Sequence, residues 1–265
     1  MRELALDQYH LVLPLLDSIQ NKAVYVRSVI DHTQQGRVFV NEERSPTSVL
    51  ITSNGGFYGL AGDEEDELFI ADVVQFMNEE SNHPGFFALG VFTTAWANKI
   101  DSYHIRHGKK ITRTYYSFNP KKFLKLYSGQ DTIVQKPFEY LPLNAVIAQE
   151  YRQKFYPYYQ LVWSSTEQFV EHGIGHFIKK NDQLVSVCTS PYVGGGYAEI
   201  DIITIEEFKR QGLASQLGIL FIKDCLVKNL IPNWSCHSDN LASNELATKL
   251  GFEKIGEHPM YWYPE

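Results

Sequence analysis

One stretch of the sequence decides the fold: AEIDIIT at residues 198–204, continued by IEEF at 205–208 and KRQGLASQL at 209–217. The first part predicts a strand, and the last part predicts an amphipathic helix that follows a basic turn containing Gly212. The first amides of a helix have no partner within it, and together with the helix dipole they attract an anion such as a pyrophosphate. An ordinary capped helix with basic surface residues would also explain this turn.

The composition is that of a globular protein with no obvious polyanionic partner. Hydrophobic residues make up 44% of the 265 residues, which excludes a mainly disordered chain, and 24 basic against 31 acidic residues give a net charge of −7. Because nucleic-acid binding draws on basic patches that neutralise phosphates, we expect no nucleic-acid partner.

The location is predicted from two features that the sequence lacks. The three cysteines form no C-x-x-C pair, and no run approaches the roughly 18 apolar residues of a membrane helix. We therefore expect a soluble cytoplasmic protein without disulfides and without a membrane partner.

Motifs of several other enzyme classes do not occur in the sequence. It contains no P-loop, no dinucleotide-binding G-x-G-x-x-G, no G-x-S-x-G elbow, no zincin H-E-x-x-H and no EF-hand loop. Kinase, dehydrogenase, hydrolase and zincin functions lose their usual support, and no bound metal is expected.

The chain consists of two α/β halves in which the order of elements repeats. In the first half, β-rich runs, a hairpin turn at residues 53–56 and a helix around 69–77 predict the order strand, strand, strand, helix, strand, helix, strand. In the second half, strand-like runs, the last of them at 197–205, are followed by helices and strands in a similar order. A duplicated fold with a mixed sheet is therefore plausible.

The boundary between the halves is predicted from a lapse in the pattern. Residues 128–144 contain turn-forming residues and two prolines, which is typical of a connection between domains. We assign residues 1–130 to one domain and residues 131–265 to the other.

Two motifs in the second half carry a family resemblance. Residues 209–214, KRQGLA, resemble motif A of the GNAT superfamily of acyl-CoA-dependent N-acetyltransferases, [RQ]-x-x-G-x-[GA], with Lys209 where Arg or Gln is usual. Residues 240–252, NLASNELATKLGF, are similar to motif B of the same superfamily. The two motifs stand in the right order and at about the usual separation, so the second half resembles a GNAT domain.

A closer resemblance covers most of the chain. A bacterial two-domain subfamily that includes the zwittermicin-resistance acetyltransferase is similar at Trp163 and at residues 167–175, 198–200 and 232–236. This resemblance implies that the first half is a degenerate GNAT-like α/β domain, and the first half indeed has no basic turn of the motif A kind.

The resemblance also implies a binding site for acetyl-CoA as the co-substrate. The main chain of residues 202–204 should pair with the pantetheine arm, residues 209–215 should hold the pyrophosphate, and Asn240 should bond near the pantetheine or thioester end. The full set of cofactor-binding residues that this implies is Ile202, Ile203, Thr204, Lys209, Arg210, Gln211, Gly212, Leu213, Ala214, Ser215, Asn240 and Ser243.

Two carboxylates on the strand are the candidates for the general base. Glu199 stands at a position that supplies the base in some members of the superfamily, and alternation along a strand would put Asp201 on the same face. Glu199 is our choice, and Asp201 is the alternative. A solvated or salt-bridged strand carboxylate would look the same in the sequence.

The usual general acid is missing. Ala247 stands where the superfamily often has the tyrosine that reprotonates the leaving thiolate. Several side chains, or solvent, could take over that role: Tyr197, Tyr261, Tyr263, Cys236 and His237.

The function that the resemblance implies is N-acetylation of a primary amine on a small molecule, by direct attack in a ternary complex. A non-catalytic acyl-CoA-binding or regulatory protein is the alternative suggested by Ala247. An aminoacyl-tRNA-dependent transferase is a second alternative, and the negative net charge and the intact turn at 209–215 argue against it. The tyrosine cluster at 156–159 either walls the substrate pocket or embraces a cationic amine, or it packs in the core or at the domain interface. The sequence leaves the oligomeric state open, with a homodimer among the states it allows.

Overall fold

The computed structural model describes residues 1–17, 19, 21–83, 85–103, 105–106, 108–129 and 136–263. The predicted domain boundary at 130/131 lies outside these residues. No helix of the part described is both long and apolar enough to cross a bilayer.

Most of the strands are short, and most of them consist mainly of β-branched and aromatic residues. They are β1 Arg2–Glu3, β2 Gly36–Val40, β3 Ser48–Ser53, β4 Phe57–Gly62, β5 Phe87–Gly90, β6 Lys109–Phe118, β7 Glu139–Pro142, β8 Gly175–Lys180, β9 Gln183–Thr189, β10 Val193–Gly194, β11 Tyr197–Glu199, β12 Asp201–Thr204, β13 Ile231–His237 and β14 Phe252–Tyr263.

The helices lie between the strands, and several begin at a residue whose side chain accepts a hydrogen bond from the first turn. They are α1 Val24–Ile30, α2 Glu67–Asn78, α3 Thr94–Tyr103, α4 Pro120–Tyr127, α5 Ala145–Glu150, α6 Tyr159–Val162, α7 Thr166–His172, α8 Leu213–Val227 and α9 Leu241–Lys249. A π-helical turn over Tyr151–Phe155 continues α5, and 3₁₀ turns cover Leu6–Leu16, Glu80–Asn82 and Glu206–Phe208.

One large mixed sheet runs through both halves. Among the described strands, ten form this sheet in the order β1-β2-β3-β4-β5-β14-β6-β13-β11-β10, and four form a smaller sheet in the order β12-β9-β8-β7. The last strand of the chain, β14, lies between β5 and β6 of the first half, and β6 lies between β14 and β13 of the second half. Each half therefore contributes a strand that the other half pairs with.

The hydrophobic core is also shared. One cluster of buried side chains joins Val26 and Val38 of the first half to Trp163, Phe177 and other residues of the second half. Burial of this common apolar surface stabilises the two halves against each other.

The element order predicted for the first half is confirmed over residues 36–118, whereas β1, α1 and α4 were not predicted. β3 and β4 pair antiparallel around the turn at residues 53–56, and α2 begins at Asp66, whose side chain accepts from the N–H of Phe69 at 3.0 Å. The mixed α/β class predicted from the sequence is confirmed as well.

The single strand predicted over residues 197–205 is wrong. The chain forms β11 in the large sheet, breaks at Ile200, and continues as β12 in the small sheet. The break follows from the partners: β11 pairs with β13 as far as Glu199, and Asp201 then pairs with Thr189 of β9. Alternation along one strand is therefore not what brings Glu199 and Asp201 together.

Candidate active site

A slot opens where β12 turns away from β13. The last backbone bond from this segment to β13 runs from the N–H of Ile200 to the carbonyl of Asn233 at 3.0 Å. Beyond it, β12 pairs with β9 on one side only, and none of the described strands lies between β12 and β13. The two strands diverge from this point and leave main-chain groups facing the slot.

The cofactor residues predicted on the strand lie on this slot. Ile202, Ile203 and Thr204 form most of β12, which is the edge strand of the small sheet. An extended chain can add to such an edge as a further strand, with main-chain hydrogen bonds on alternate residues. The geometry therefore fits the predicted pairing with a pantetheine arm.

The turn before α8 has the features of an anion site. Gly212 precedes the helix with a φ of +80°, and it provides no side-chain cap, whereas Asp66, Ser165 and Asn240 cap α2, α7 and α9. The amides of the first turn of α8 are thus left without a side-chain oxygen. A Cβ added at Gly212 would meet nothing closer than Gln216 Nε2 at 3.9 Å, so the space above the turn is open.

The rest of the turn is basic, exposed and strained. Arg210 adopts a φ of +62°, a conformation that non-glycine residues seldom take. Lys209 and Arg210 are both exposed, and Lys209 Nζ pairs with Glu206 at 2.5 Å. The predicted residues from Lys209 to Ser215 therefore lie together around the uncapped end of α8.

The two motif B residues are engaged within the fold. Asn240 Oδ1 caps α9 by accepting from the N–H of Ser243 at 3.1 Å, and Ser243 Oγ accepts from Trp234 Nε1 at 3.2 Å. These bonds fix the start of α9 against β13. The contact of Asn240 with the pantetheine stays a prediction.

A cavity of about 500 Å³ lies between the two halves, beside the slot. Its walls combine six aromatic rings with a small number of charged and polar groups, a composition typical of ligand pockets. The lining residues are Phe57, Phe86, Arg113, Tyr156, Tyr158, Pro191, Tyr192, Glu199, Ile200, Asp201, Ser235, His237 and Trp262.

Glu199, the predicted base, lies on the wall of this cavity. Its side chain is 8% exposed; Oε1 accepts from Ser235 Oγ at 3.3 Å, and Oε2 has no hydrogen-bond partner. Burial raises the pKa of Glu199 from its usual 4.5 to about 7, although Arg113 and the Ser235 bond oppose the rise. Glu199 is thus a carboxyl group that can exchange a proton near neutral pH, with a free oxygen.

Asp201 lines the same cavity from the start of β12. Burial raises its pKa from the usual 3.8 to about 6, and Arg113 again opposes the rise. The Asp201 charge in turn contributes to the raised pKa of Glu199. The structure therefore brings together both carboxylates that the sequence singled out.

Sequence reasoning missed Arg113, which comes from the first half. Arg113 lies on β6, and its Nη2 donates to the carbonyl of Ser235 at 3.1 Å and to Ser235 Oγ at 2.8 Å. The one signal in the sequence is an arginine set between Thr112 and Thr114 in a strand pattern. Its place beside the carboxylates depends on the pairing of β6 with β13, which the sequence does not reveal.

The structure distinguishes among the candidates for the missing general acid by their positions. Ala247 is fully buried. Of the five alternatives, all of which lie in the described part of the chain, His237 is the one that lines the cavity. Burial and Arg113 lower the pKa of His237, so that it is mostly neutral near pH 7. Tyr261 instead donates to Asp101 at 2.6 Å, and Cys236 bonds to Asn244 at 3.4 Å.

The first half has an acidic turn at the position that corresponds to 209–212. Residues 63–67, DEEDE, connect β4 to α2 where a cofactor turn would be basic. Thr93 Oγ1 donates to Glu64 at 2.9 Å and Lys99 Nζ donates to Glu65 at 3.0 Å, which ties this turn to the start of α3. A phosphate would be repelled there.

Comparison with known sequences defines the family. Residues 14–261 match the profile of the GNAT acetyltransferases, so the chain belongs to the GNAT acetyltransferase family. Members of this family transfer acetyl groups and use acetyl-CoA as the co-substrate. The resemblance predicted from motifs A and B is thereby confirmed.

Individual relatives match this chain over nearly its full length. The chain is 28% identical over 262 residues to the uncharacterized N-acetyltransferase YdfB of Bacillus subtilis (strain 168), covering 99% of this chain and 98% of that protein. A GCN5-related N-acetyltransferase-like protein from Streptococcus suis has a similar structure, with a TM-score of 0.73, 24% identity and coverage of 97% and 98% of the two chains. A tandem GNAT protein from the clavulanic acid biosynthesis pathway has a TM-score of 0.65 at 10% identity, with coverage of 98% and 96%.

Proposed function

We propose that this protein transfers the acetyl group of acetyl-CoA to a primary amine of a small molecule by direct attack in a ternary complex. The observation that carries the proposal is the position of Glu199, a buried carboxyl group that has no hydrogen-bond partner at Oε2 and lines a cavity beside the open edge of β12. Such a transfer needs a general base next to the strand edge that binds the acyl-CoA.

Acetyl-CoA binding draws on two features of the second half. The pyrophosphate would bind at the uncapped first turn of α8, where the helix dipole, the free amides and Arg210 all favour an anion. The pantetheine would lie along Ile202, Ile203 and Thr204. This arrangement directs the thioester toward Ile200 and Asp201, next to the cavity.

Glu199 would then perform the proton transfer. A primary amine is mostly an ammonium ion near pH 7 and cannot attack until it loses a proton, which Glu199 takes directly or through a water. The amine nitrogen forms a bond to the acetyl carbon and then releases its second proton to solvent, the carbon–sulfur bond breaks, and the thiolate leaves to be protonated by solvent. A main-chain N–H on β12 would stabilise the oxyanion that forms in between.

The surroundings of Ser235 favour direct attack over an acetylated enzyme. Ser235 Oγ donates to Glu199 and accepts from Arg113 at 2.8 Å, so the charged hydrogen bond draws electron density from the oxygen that would have to attack. Cys236 does not line the cavity, and burial raises the pKa of its thiol.

The size and position of the cavity support a small acceptor. A volume of about 500 Å³ walled by both halves suits a molecule of drug size. A protein substrate would instead need an open groove.

A screen of primary amines tests the function. The protein is incubated with acetyl-CoA, one amine at a time is added, and thiol release is followed. We expect release that depends on the amine, with a product heavier by one acetyl group. Tight binding of acetyl-CoA without amine-dependent release would instead support the non-catalytic acyl-CoA-binding protein.

A further inference from the structure

The cavity that holds the two carboxylates is also lined by a wall of aromatic rings. We call this wall the aromatic cup; its members are Phe57, Phe86, Tyr156, Tyr158, Tyr192 and Trp262. They come from both halves of the chain, and the acetyl transfer described above assigns them no role.

The rings of the cup are packed against one another in a fixed arrangement. Phe86 stacks on Trp262 with centroids 5.8 Å apart and contacts Tyr158 at 5.4 Å. Phe57 meets Trp262 edge to face at 6.1 Å and meets Tyr192 in the same way at 5.9 Å. These contacts hold the cup open before any ligand arrives, so little side-chain entropy remains to be lost on binding.

Three rings of the cup are more exposed than the core, to which Tyr192 of the cup itself belongs. Tyr159 and Phe169 are fully buried, whereas Phe86, Tyr158 and Trp262 are only partly buried. Large apolar faces that stay open to a cavity are a sign of a ligand site, because a chain folding for stability alone would cover them.

Two of the three tyrosine hydroxyls of the cup are engaged within the fold. Tyr158 Oη donates to the carbonyl of Gly55 at 2.6 Å, and Tyr192 Oη bonds to Ser53 Oγ at 3.1 Å. A Cβ at Gly55 would stand 2.2 Å from Tyr192 Oη, so the turn is closely fitted to this contact. With these hydroxyls engaged in the turn between β3 and β4, Tyr158 and Tyr192 offer the cavity mainly their rings.

The charges of the cavity suit a single cation beside the two carboxylates. Glu199 and Asp201 provide two negative charges when ionised, Arg113 provides one positive charge, and His237 is mostly neutral near pH 7 because its pKa is lowered. No other charged residue lines the cavity among the residues described. A second ammonium in the cup would exchange its hydration for cation–π contact alone, whereas an aromatic group would exchange water for ring contacts on its faces.

We infer that the acceptor is a primary monoamine that carries an aromatic ring on a short linker, with the ring in the aromatic cup and the nitrogen at Glu199 and Asp201. This inference rests on the proposed function, since it specifies the substrate class of the same site.

The test compares three amines as acceptors: 2-phenylethylamine, ethylamine and 1,4-diaminobutane. Thiol release gives kcat/KM for each, and calorimetry gives the affinity of each for the protein without turnover. We expect kcat/KM for 2-phenylethylamine to exceed that for the other two by at least about tenfold, through a lower KM, which is within the range that burial of an aromatic group supplies.

Substitutions in the aromatic cup test whether its rings cause the preference for 2-phenylethylamine. Trp262→Ala and the milder Phe86→Leu should each reduce the ratio of kcat/KM for 2-phenylethylamine to that for ethylamine, the first by about tenfold. Tyr127→Ala is the matched control, because Tyr127 lies on α4 outside the cavity, and we expect it to leave the ratio unchanged.

The outcomes separate this inference from the proposed function. Equal kcat/KM for ethylamine and 2-phenylethylamine, or a preference for 1,4-diaminobutane, would overturn the inference while amine-dependent thiol release upheld the acetyl transfer. Absence of thiol release with every amine would overturn the proposed function. The inference would then stand only if 2-phenylethylamine still bound more tightly than the other two and Trp262→Ala weakened that binding.

Discussion

Replacing Glu199 by glutamine should make the protein more stable and less active at the same time. Because burial raises the pKa of Glu199 from 4.5 to about 7, the folded protein holds a proton at pH values where the unfolded chain has lost it. Ionisation of this group therefore opposes folding. The penalty is absent below about pH 4.5, grows between pH 4.5 and 7, and is constant above that range. At about 1.4 kcal/mol per pH unit, it reaches about 3 kcal/mol.

The glutamine side chain has the same shape and never ionises. We therefore expect Glu199→Gln to raise the free energy of unfolding by about 3 kcal/mol at pH 8 and to change it little near pH 4. Urea denaturation followed by tryptophan fluorescence at several pH values measures the difference. Glu245→Gln is the matched control, because Glu245 is exposed on α9. A difference between wild type and Glu199→Gln that did not change with pH would refute the argument that ionisation of a buried Glu199 opposes folding.

The same variant should lose turnover. General-base assistance is typically worth ~10²–10⁴-fold, so we expect Glu199→Gln to reduce kcat by at least about tenfold while acetyl-CoA affinity stays nearly unchanged. In the wild type, kcat/KM should rise with pH through a pKa of about 7, and the variant should lose or displace that rise. Full turnover with the parent pH profile would pass the role of base to Asp201 or to solvent.

Further expectations concern the cofactor site and its surroundings. Gly212→Glu should abolish acetyl-CoA binding in calorimetry and leave the circular dichroism spectrum unchanged, since a carboxylate would occupy the anion site; Arg210→Ala should weaken binding less, and most visibly at low salt. Calorimetry should find one acetyl-CoA site per chain, because the turn at 63–67 is acidic; two equivalent sites would contradict this. Arg113→Met should raise the pKa of Glu199 and Asp201 further and shift the rise in kcat/KM to higher pH, with Arg113→Lys closer to wild type.

The parts of the site that the sequence revealed are those formed by contiguous residues. The turn at 209–215 and the start of α9 depend on a few neighbouring positions, so their resemblance to motifs A and B identified them. The hairpin turn at 53–56 and the helix that begins after Asp66 were predictable for the same reason, because turn and capping residues act locally.

The parts that the sequence did not reveal depend on long-range pairing. Arg113 and Trp262 reach the cavity only because β6 and β14 lie between strands of the other half, and no local pattern encodes that exchange. The break at Ile200 has the same origin, since residues 197–205 have a continuous strand pattern and the change of partner from β13 to β9 divides them. The aromatic cup was visible in part, as the tyrosine cluster at 156–159, in which Tyr159 belongs to the core and Tyr156 and Tyr158 line the cavity.

Direct transfer from acetyl-CoA to an amine held at Glu199 is tested most directly by initial velocities measured over a grid of acetyl-CoA and amine concentrations. Direct attack in a ternary complex predicts double-reciprocal lines that intersect, and no acetylated residue when the protein is mixed with acetyl-CoA alone. Parallel lines, together with an acetyl group found on Ser235 by mass spectrometry, would contradict it.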